Sequence, residues 1–275
     1  MLNLPFFILV VSAMVYGVSF LLHLSSFRNA QRKNHRRAFT LMRLGFLLST
    51  FYFAAEAMQK NVMIPVAGLS EALAFFAWSL AFVYLVLLAR AQSDSFGLIL
   101  TPVLLFLTSG AILTSHPGSV SFPLPQNPFF MVHILSAFFA YACYAISFAA
   151  SVLYLIQNHE LKSKQAGTFY HQLPSLEELE KLIYQPMIWG TCLLMSAVMI
   201  GFLWSKSAYG VFWMRDPKTV STVATTLVYF VILYLRFVAS LRAKKGAVLT
   251  LAAFILVLFS FVGTRFIEGS HNYLQ

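Results

Sequence analysis

The stretch that decides the fold is FFMVHILSAFFAYACYAISFAASVLYLIQ, residues 129–157, which contains no Asp, Glu, Lys or Arg. About 20 mostly apolar residues are enough for a helix to cross a bilayer. Because lipid offers no hydrogen-bond partners, the backbone groups of such a segment must pair within it, as they do in a helix. No strand-like alternation of polar and apolar residues competes with this interpretation. The sequence therefore predicts a membrane-spanning helix here.

Seven other stretches are also long and mostly apolar. The composition agrees, since 59% of the 275 residues are hydrophobic and only 10% are charged, which excludes an ordinary soluble globular protein. The sequence predicts an all-α integral membrane protein, a polytopic bundle of about eight transmembrane helices that forms a single domain over residues 1–275. The other seven predicted spans are residues 5–24, 39–57, 69–91, 97–115, 185–204, 219–241 and 247–266.

The formal net charge of +10 does not indicate nucleic-acid binding, because the basic residues segregate between alternating loops. Fourteen of the nineteen Lys and Arg residues fall on one predicted side. The positive-inside rule makes that side the inner one and places both termini outside. We expect a multi-pass protein of the cell (cytoplasmic or inner) membrane, without a cleaved signal peptide. The basic residues of the predicted outer side are Lys60, Lys206, Arg215, Lys218 and Arg265.

Two inner segments carry specific predictions. Residues 28–37 (RNAQRKNHRR), which include His35, are expected to form a solvated basic loop at the membrane surface. Further along, Ser175 followed by Glu177 and Glu178 is typical of a helix N-cap. The sequence predicts that this cap opens a short amphipathic helix lying on the inner surface.

Several polar residues within or beside the spans admit a structural role. Glu71 lies within one turn of the predicted membrane surface, where an acid is usually structural or functional. Cys143 and Cys192 are far apart and form neither a CxxC nor a CxxCH motif, so we expect buried packing residues and no covalently attached haem. His23, near the inner end of the first span, is also interpreted as a packing residue.

The most informative loop is GFLWSKSAYGVFWMRDPK, residues 201–218, between two spans on the predicted outer side. A simple connection needs only a few turn residues, whereas this one combines flat aromatic faces, cations and glycines. Such a surface suits a planar, acidic, apolar ligand. Its aromatic residues are Trp204, Tyr209, Phe212 and Trp213, and its cations are Lys206, Arg215 and Lys218.

Two histidines are predicted on the same side as this segment. His133 begins the fifth span, and His271 follows the eighth span by a few residues. Imidazole is a common axial ligand of haem iron, and Asp216 or Glu268 could orient an imidazole through its second nitrogen. The alternative is that the histidines are interfacial anchors and that the Trp and Tyr residues form an aromatic belt. A belt does not explain the Gly residues or the Asp-Pro turn of the segment.

The segment resembles the tryptophan-rich "WWD" signature of the cytochrome c assembly family, which includes CcsA (ResC), CcmC and CcmF. The resemblance extends from about Ile64 to the C-terminus. IPVAGLSEALAFFAW is similar to the family's FPLSNLYESL region, NPFFMVHILSAFFAYACYAISF to its histidine-bearing helix, and LPSLEELEKLIYQPMIWG to the lead-in of CcsA-type members. GSHNY is similar to their terminal GLHSY.

The resemblance implies a non-covalent haem b whose two axial ligands are His133 and His271. It implies that the signature residues contact this haem. Two departures stand out: this chain has YGVFWMRDPKT where the family shows WGxYWxWDPKE, and YLRFV, with Arg236, where synthase members show YLHTR with a haem-ligating histidine. A guanidinium cannot replace that ligand, so at most one haem is expected. The implied signature contacts are Trp204, Tyr209, Gly210, Trp213, Asp216, Pro217 and Lys218.

Two functions follow from the resemblance. The first is haem handling in system II cytochrome c biogenesis, where a CcsB-type membrane partner completes a synthase and haem is held at the outer face for attachment to apocytochrome c. The second is that of HemX-like proteins, which control tetrapyrrole synthesis through the level of glutamyl-tRNA reductase. A third possibility, outside haem chemistry, is a transporter or structural subunit whose aromatic segment is a lid. No hydrolase-like or transferase-like set of nucleophile, acid and base can be assembled from the sequence.

Overall fold

The computed structural model describes residues 4–29, 32–88, 94–115, 127–163, 173–212 and 217–263. Across these ranges it is all-helical, and eight helices are long and apolar enough to cross a membrane by length and composition. The predicted all-α polytopic membrane fold is confirmed, while the sidedness of the termini stays a prediction. The helices are α1 (Leu4–Asn29), α2 (Arg32–Lys60), α3 (Leu69–Leu88), α4 (Asp94–Thr114), α5 (Pro128–Ser163), α6 (Leu176–Tyr209), α7 (Pro217–Phe237) and α8 (Ala243–Leu258).

The chain forms two compact units of four helices each. In unit 1, α1 packs against α2 and α4, and α3 packs against α4 and α2. In unit 2, α5 packs against α6 and α8, and α7 packs against α8 and α6. That residues 1–275 act as one domain stays a prediction.

Unit 1 is held by buried polar contacts as well as by apolar packing. Tyr16 is fully buried, and its hydroxyl lies 3.3 Å from Ser49 Oγ. Glu71, in the first turn of α3, accepts a hydrogen bond from Gly68 N at 3.0 Å and pairs with Lys60, which also contacts Glu56 at 2.8 Å. The acid singled out in the sequence therefore has a structural role in joining α2 to α3.

Unit 2 has an aromatic core. Tyr144 of α5 and Tyr229 of α7 stack with ring centroids 3.6 Å apart and an interplanar angle of 8°. Gly190 of α6 lies against Tyr144, and a Cβ at that glycine would be 2.9 Å from the ring. Tyr144 also donates a hydrogen bond to Thr191 at 3.3 Å. These contacts fix α5 and α6 side by side in antiparallel orientation, which brings the start of α5 to the end of α6.

Three sequence predictions are wrong in detail. The expected basic loop at 28–37 is mostly helical, since α1 continues to Asn29 and α2, which contains His35, begins at Arg32. The N-cap at Ser175 exists, with its capping box, but it opens the long α6 and not a separate surface helix. Of the two cysteines, Cys143 is buried as expected whereas Cys192 is exposed on the surface of the chain.

The remaining packing prediction is confirmed. His23 of α1 is fully buried, and its ring lies against Gly97 of α4, where a Cβ would clash with the imidazole. The ring of His35 lies 6.3 Å from that of His23 in an edge-on arrangement. His23 is thus part of the helix packing of unit 1.

Candidate functional site

Several helix ends of unit 2 meet at one end, here called the His133 end. Asn127 caps α5 by accepting a hydrogen bond from Phe129 N on its side chain at 2.9 Å, and Pro128 occupies the first helical position. A proline also begins the next helix at this end, since the segment between α6 and α7 leads into Pro217, the first residue of α7. Gly210 ends α6 in the left-handed conformation (φ 76°), donating its N–H to Lys206 O at 2.9 Å.

His133 lies on α5 and is half-buried. Its Nδ1 is 2.7 Å from the carbonyl oxygen of Ala197 on α6. A carbonyl oxygen can only accept, so Nδ1 must carry the proton and donate it. In the neutral imidazole the lone pair is then on Nε2, which is the arrangement found when a histidine ligates a metal through Nε2 and is oriented through Nδ1.

Gly201 makes room for this imidazole. A Cβ at Gly201 would lie 2.9 Å from both Cε1 and Nδ1 of His133, well inside normal van der Waals contact. Glycine in the interior of a helix costs roughly 0.5–1 kcal/mol relative to alanine. Here that cost allows α6 to approach the ring closely enough for the bond to Ala197.

Aromatic side chains line the same region. The ring of Phe130, one turn before His133 on α5, is nearly parallel to the imidazole, with centroids 6.3 Å apart at 28°. The Phe130 ring also packs against Trp204 of α6, with centroids 4.8 Å apart. The histidine therefore lies beside an apolar surface contributed by two helices, which favours burial of a flat apolar ligand.

The first residues of the 201–218 segment form the end of α6, and the residues directly after the helix fold back onto it. Ser205 Oγ donates a hydrogen bond to Val211 O at 2.9 Å, and Lys206 Nζ lies 4.0 Å above the ring of Phe212. Lys218 lies in the first turn of α7, where this segment ends. Two cations thus lie near the aromatic surface, where they could pair with carboxylates of a ligand.

A cluster of hydroxyl groups lies deeper at this end. Tyr141 of α5 lies two turns beyond His133, and its hydroxyl is 3.1 Å from Ser260 Oγ. Ser260 belongs to a short π-helix, Phe259–Gly263, that follows α8, and its Oγ is also 3.1 Å from Thr222 Oγ1 of α7. Single-turn π-helices of this kind frequently occur at functional sites. The cluster fastens α5, α7 and the end of α8 to one another below the histidine.

The structure brings together five of the nine residues named from the sequence. Of Tyr209 it describes only the backbone, as the last residue of α6. Trp213, Asp216 and His271 lie outside the described residues, so their contacts with haem stay predictions. The five located at the His133 end are His133, Trp204, Gly210, Pro217 and Lys218.

Arg236 lies at the opposite end of unit 2. Its guanidinium pairs with Glu180 of α6, donates to Leu241 O at 3.0 Å and lies 5.2 Å from the centroid of the Tyr184 ring. Arg236, at the position where the resemblance implies a histidine in synthase members, is therefore engaged in an ion pair that joins α6 to α7. This arrangement agrees with the interpretation of Arg236 as a non-ligand.

Sequence reasoning missed the partners of His133. The Ala197 carbonyl is a backbone group, which no residue pattern identifies, and the ring of Phe130 was not distinguished from the other apolar residues of its span. The glycines of the 201–218 segment were singled out in the sequence, but the contact of Gly201 with His133 was not identified. The available signal was the GxxW spacing from Gly201 to Trp204, since a glycine inside an apolar helix indicates that something packs against it.

Comparisons with known proteins identify the family of this chain. The family described as "Cytochrome C assembly protein" matches residues 66–271. Protein HemX of Brevibacillus brevis is 27% identical over 90% of this chain and 92% of its own length, and protein HemX of Bacillus subtilis (strain 168) is 29% identical over 90% of each. Cytochrome c biogenesis protein CcsA of Porphyra purpurea is 26% identical over 84% of this chain and 83% of its own length.

The fold also resembles a solved structure, that of the cytochrome c heme lyase CcmF. The two superimpose with a TM-score of 0.66 at 15% sequence identity. The match covers 94% of this chain but 47% of the solved one, so this chain spans about half the length of that protein.

Proposed function

Because this chain belongs to the cytochrome c assembly protein family, we propose that it binds non-covalent haem b at the His133 end of unit 2 and presents it for attachment to apocytochrome c. The observation that carries the proposal is the bond from His133 Nδ1 to Ala197 O at 2.7 Å. It fixes both the tautomer and the direction of the imidazole, as a ligating histidine requires. The proposal sets this end on the outer side of the cell membrane, following the distribution of basic residues.

The described residues fit such a ligand. Nε2 of His133 has the lone pair that iron needs, while Phe130 and Trp204 offer apolar faces to a porphyrin. Lys206 and Lys218 supply cations for its two propionates. We propose that His271 would be the second histidine to bind the iron, and that the signature residues Tyr209, Gly210, Trp213, Asp216 and Pro217 would complete the binding surface.

In this role the chain binds and orients haem, and it needs no catalytic acid or base of its own. Haem supplies the vinyl groups to which the two thiols of an apocytochrome CxxCH motif add. His133, held by Ala197, would bind the iron, and the aromatic side chains of Phe130 and Trp204 would exclude water from the site. Holding both reactants in place supplies the rate. We propose that a CcsB-type membrane partner delivers or positions the apocytochrome.

The experiment that tests the proposal compares haem content after purification in mild detergent. Wild type should hold about one haem per chain by pyridine haemochrome assay, because Arg236 provides no second site. His133→Gly and His271→Gly should each lose haem or shift its spectrum, and added imidazole should restore it. His159→Gly, at an exposed position of the same helix α5, is the matched control for glycine in a helix and should retain haem.

Unchanged spectra in both the His133→Gly and the His271→Gly proteins would refute the axial pair. A wild-type ratio near two haems per chain would refute the interpretation of Arg236. A colourless wild-type protein, purified from cells supplied with haem, would support a transporter or structural role instead.

A second candidate function is a HemX-like control of tetrapyrrole synthesis. Two observations favour it: the similarity to HemX proteins extends over nine-tenths of each chain, and Arg236 is engaged by Glu180 where a synthase would carry a histidine. Deletion of the gene separates the two. Loss of c-type cytochromes with a normal level of glutamyl-tRNA reductase would support the assembly role. Normal c-type cytochromes with an altered level of glutamyl-tRNA reductase would support the regulatory role.

A further inference from the structure

A groove of about 410 Å³ runs along one face of α6 at the Arg236 end of unit 2. Its α6 residues follow helical spacing, from Glu177 and Lys181 at the start of the helix to Ile188 deeper in the span, a rise of about 16 Å. The other wall is the end of α7, with Arg236 and Phe237. The groove is therefore charged at the helix start and apolar toward the middle of the span.

The deep half of the groove faces the lipid. Ile188 is 39% exposed and Phe237 is 62% exposed on the surface of the chain. Ile188 lies inside a helix long enough to cross the membrane, so in a bilayer it contacts acyl chains. Phe237 is the last residue of α7 and lies beside Arg236 at the mouth of the groove. The mouth of the groove is its charged end, at the start of α6, and it lies at the level of the lipid headgroups.

The charges at the mouth favour an anion. Within the lining, Glu177 pairs with Lys181 at 2.8 Å and Glu180 pairs with Arg236, so the lining itself is neutral. A few residues beyond Arg236 the chain carries three exposed cations without an acid between them: Arg242, at the N-cap of α8, and Lys244 and Lys245 in its first turn.

Arg236 is held ready to bind a further anion. Its two recorded hydrogen bonds, to Glu180 and to Leu241 O, use two of the five N–H donors of a guanidinium. The Tyr184 ring lies beside it and restricts its orientation. A fixed guanidinium fork with donors remaining matches the geometry of a phosphate.

We propose that this groove binds one anionic phospholipid, with its phosphate against Arg236 and Lys181 and an acyl chain that passes Phe237 toward Ile188. A water-soluble anion would leave the apolar half of the groove without a partner, whereas an amphiphile fills both halves. The three exposed cations at the start of α8, Arg242, Lys244 and Lys245, favour an anionic over a zwitterionic headgroup. The site is separate from the His133 end and does not depend on haem binding.

The test uses the full chain in nanodiscs or mild detergent and native mass spectrometry, with phosphatidylglycerol, phosphatidylethanolamine and phosphatidylcholine as probes. Wild type should retain one phosphatidylglycerol, about tenfold more strongly than phosphatidylcholine. Ile188→Trp fills the deep half of the groove and should abolish that retention. Its matched control is Ile255→Trp, at a 67% exposed position of α8 outside the groove, which should retain the lipid.

A second pair of variants tests the headgroup contact without altering the core. Lys181→Gln should weaken retention of phosphatidylglycerol about fivefold, and Lys162→Gln, an exposed cation at the end of α5, should leave it unchanged. Equal retention of all three lipids would overturn the proposal, as would full retention by Ile188→Trp. Displacement of the lipid by a free porphyrin at this groove would overturn it in favour of a tetrapyrrole site.

Discussion

Replacement of Gly201 by alanine tests whether the orientation of His133 determines haem binding. The new Cβ would lie 2.9 Å from Cε1 and Nδ1 of His133, whereas favourable carbon contacts lie near 3.5–4.0 Å. The imidazole would have to withdraw by about 0.6 Å or more. Because Nδ1 is 2.7 Å from Ala197 O, that movement lengthens or breaks the bond that fixes the ring.

The expected magnitude follows from these contacts. A lost hydrogen bond costs about 1 kcal/mol, and overpacking in a well-packed region costs about 1–3 kcal/mol. If about 2 kcal/mol of this falls on the ligand-bound state, haem affinity drops roughly thirtyfold. The stability of the haem-free protein should change less, because the imidazole can rotate away when no iron holds it.

The assay is a haem titration followed by absorption, with thermal unfolding of the haem-free protein as a second readout. Gly17→Ala in α1 is the matched control, because a Cβ there would meet only ordinary contacts at 3.9 Å from Leu105. Added imidazole should partly restore the spectrum of Gly201→Ala by replacing the displaced ring. An unaltered spectrum and affinity in Gly201→Ala would show that the pinned orientation of His133 has no bearing on haem.

Other expectations concern packing and the second end of unit 2. Arg236→His should create a second haem signal that Arg236→Gln does not. Gly246→Ala would place a Cβ against the Tyr184 hydroxyl and should destabilise the protein by about 1–3 kcal/mol in thermal melts, and Tyr184→Phe in the same chain should relieve the loss. Lys60→Met leaves the carboxylates of Glu56 and Glu71 without their cation and should lower the free energy of unfolding by about 2 kcal/mol. Adding Glu71→Gln should recover part of that loss. An unchanged melting temperature in Lys60→Met would show that these ion pairs contribute nothing to stability.

The sequence identified the helices better than it identified their ends. Long uncharged stretches such as residues 129–157 permit only a helix in lipid, so the number of spans could be read directly. The predicted start of α6 is wrong, because the charged residues that follow Ser175 were assigned to a separate surface helix, whereas they are continuous with the span and Pro186 lies inside that one helix. A proline is tolerated within a membrane helix when neighbouring groups satisfy the freed carbonyl, and a single sequence does not reveal those neighbours.

For the candidate site, the sequence by itself determined the residue types and, through the alternation of loops, which of them should share one end. His133, Trp204 and Lys218 were selected in this way, and all three lie at one end of unit 2. Only the tertiary structure decided how they are used. The pairing of His133 with the Ala197 carbonyl depends on the separation of α5 and α6, which Gly201 permits. The engagement of Arg236 by Glu180 joins residues 56 positions apart in the chain. Both depend on helix packing, which arises from many weak contacts at once and leaves no local pattern in the sequence.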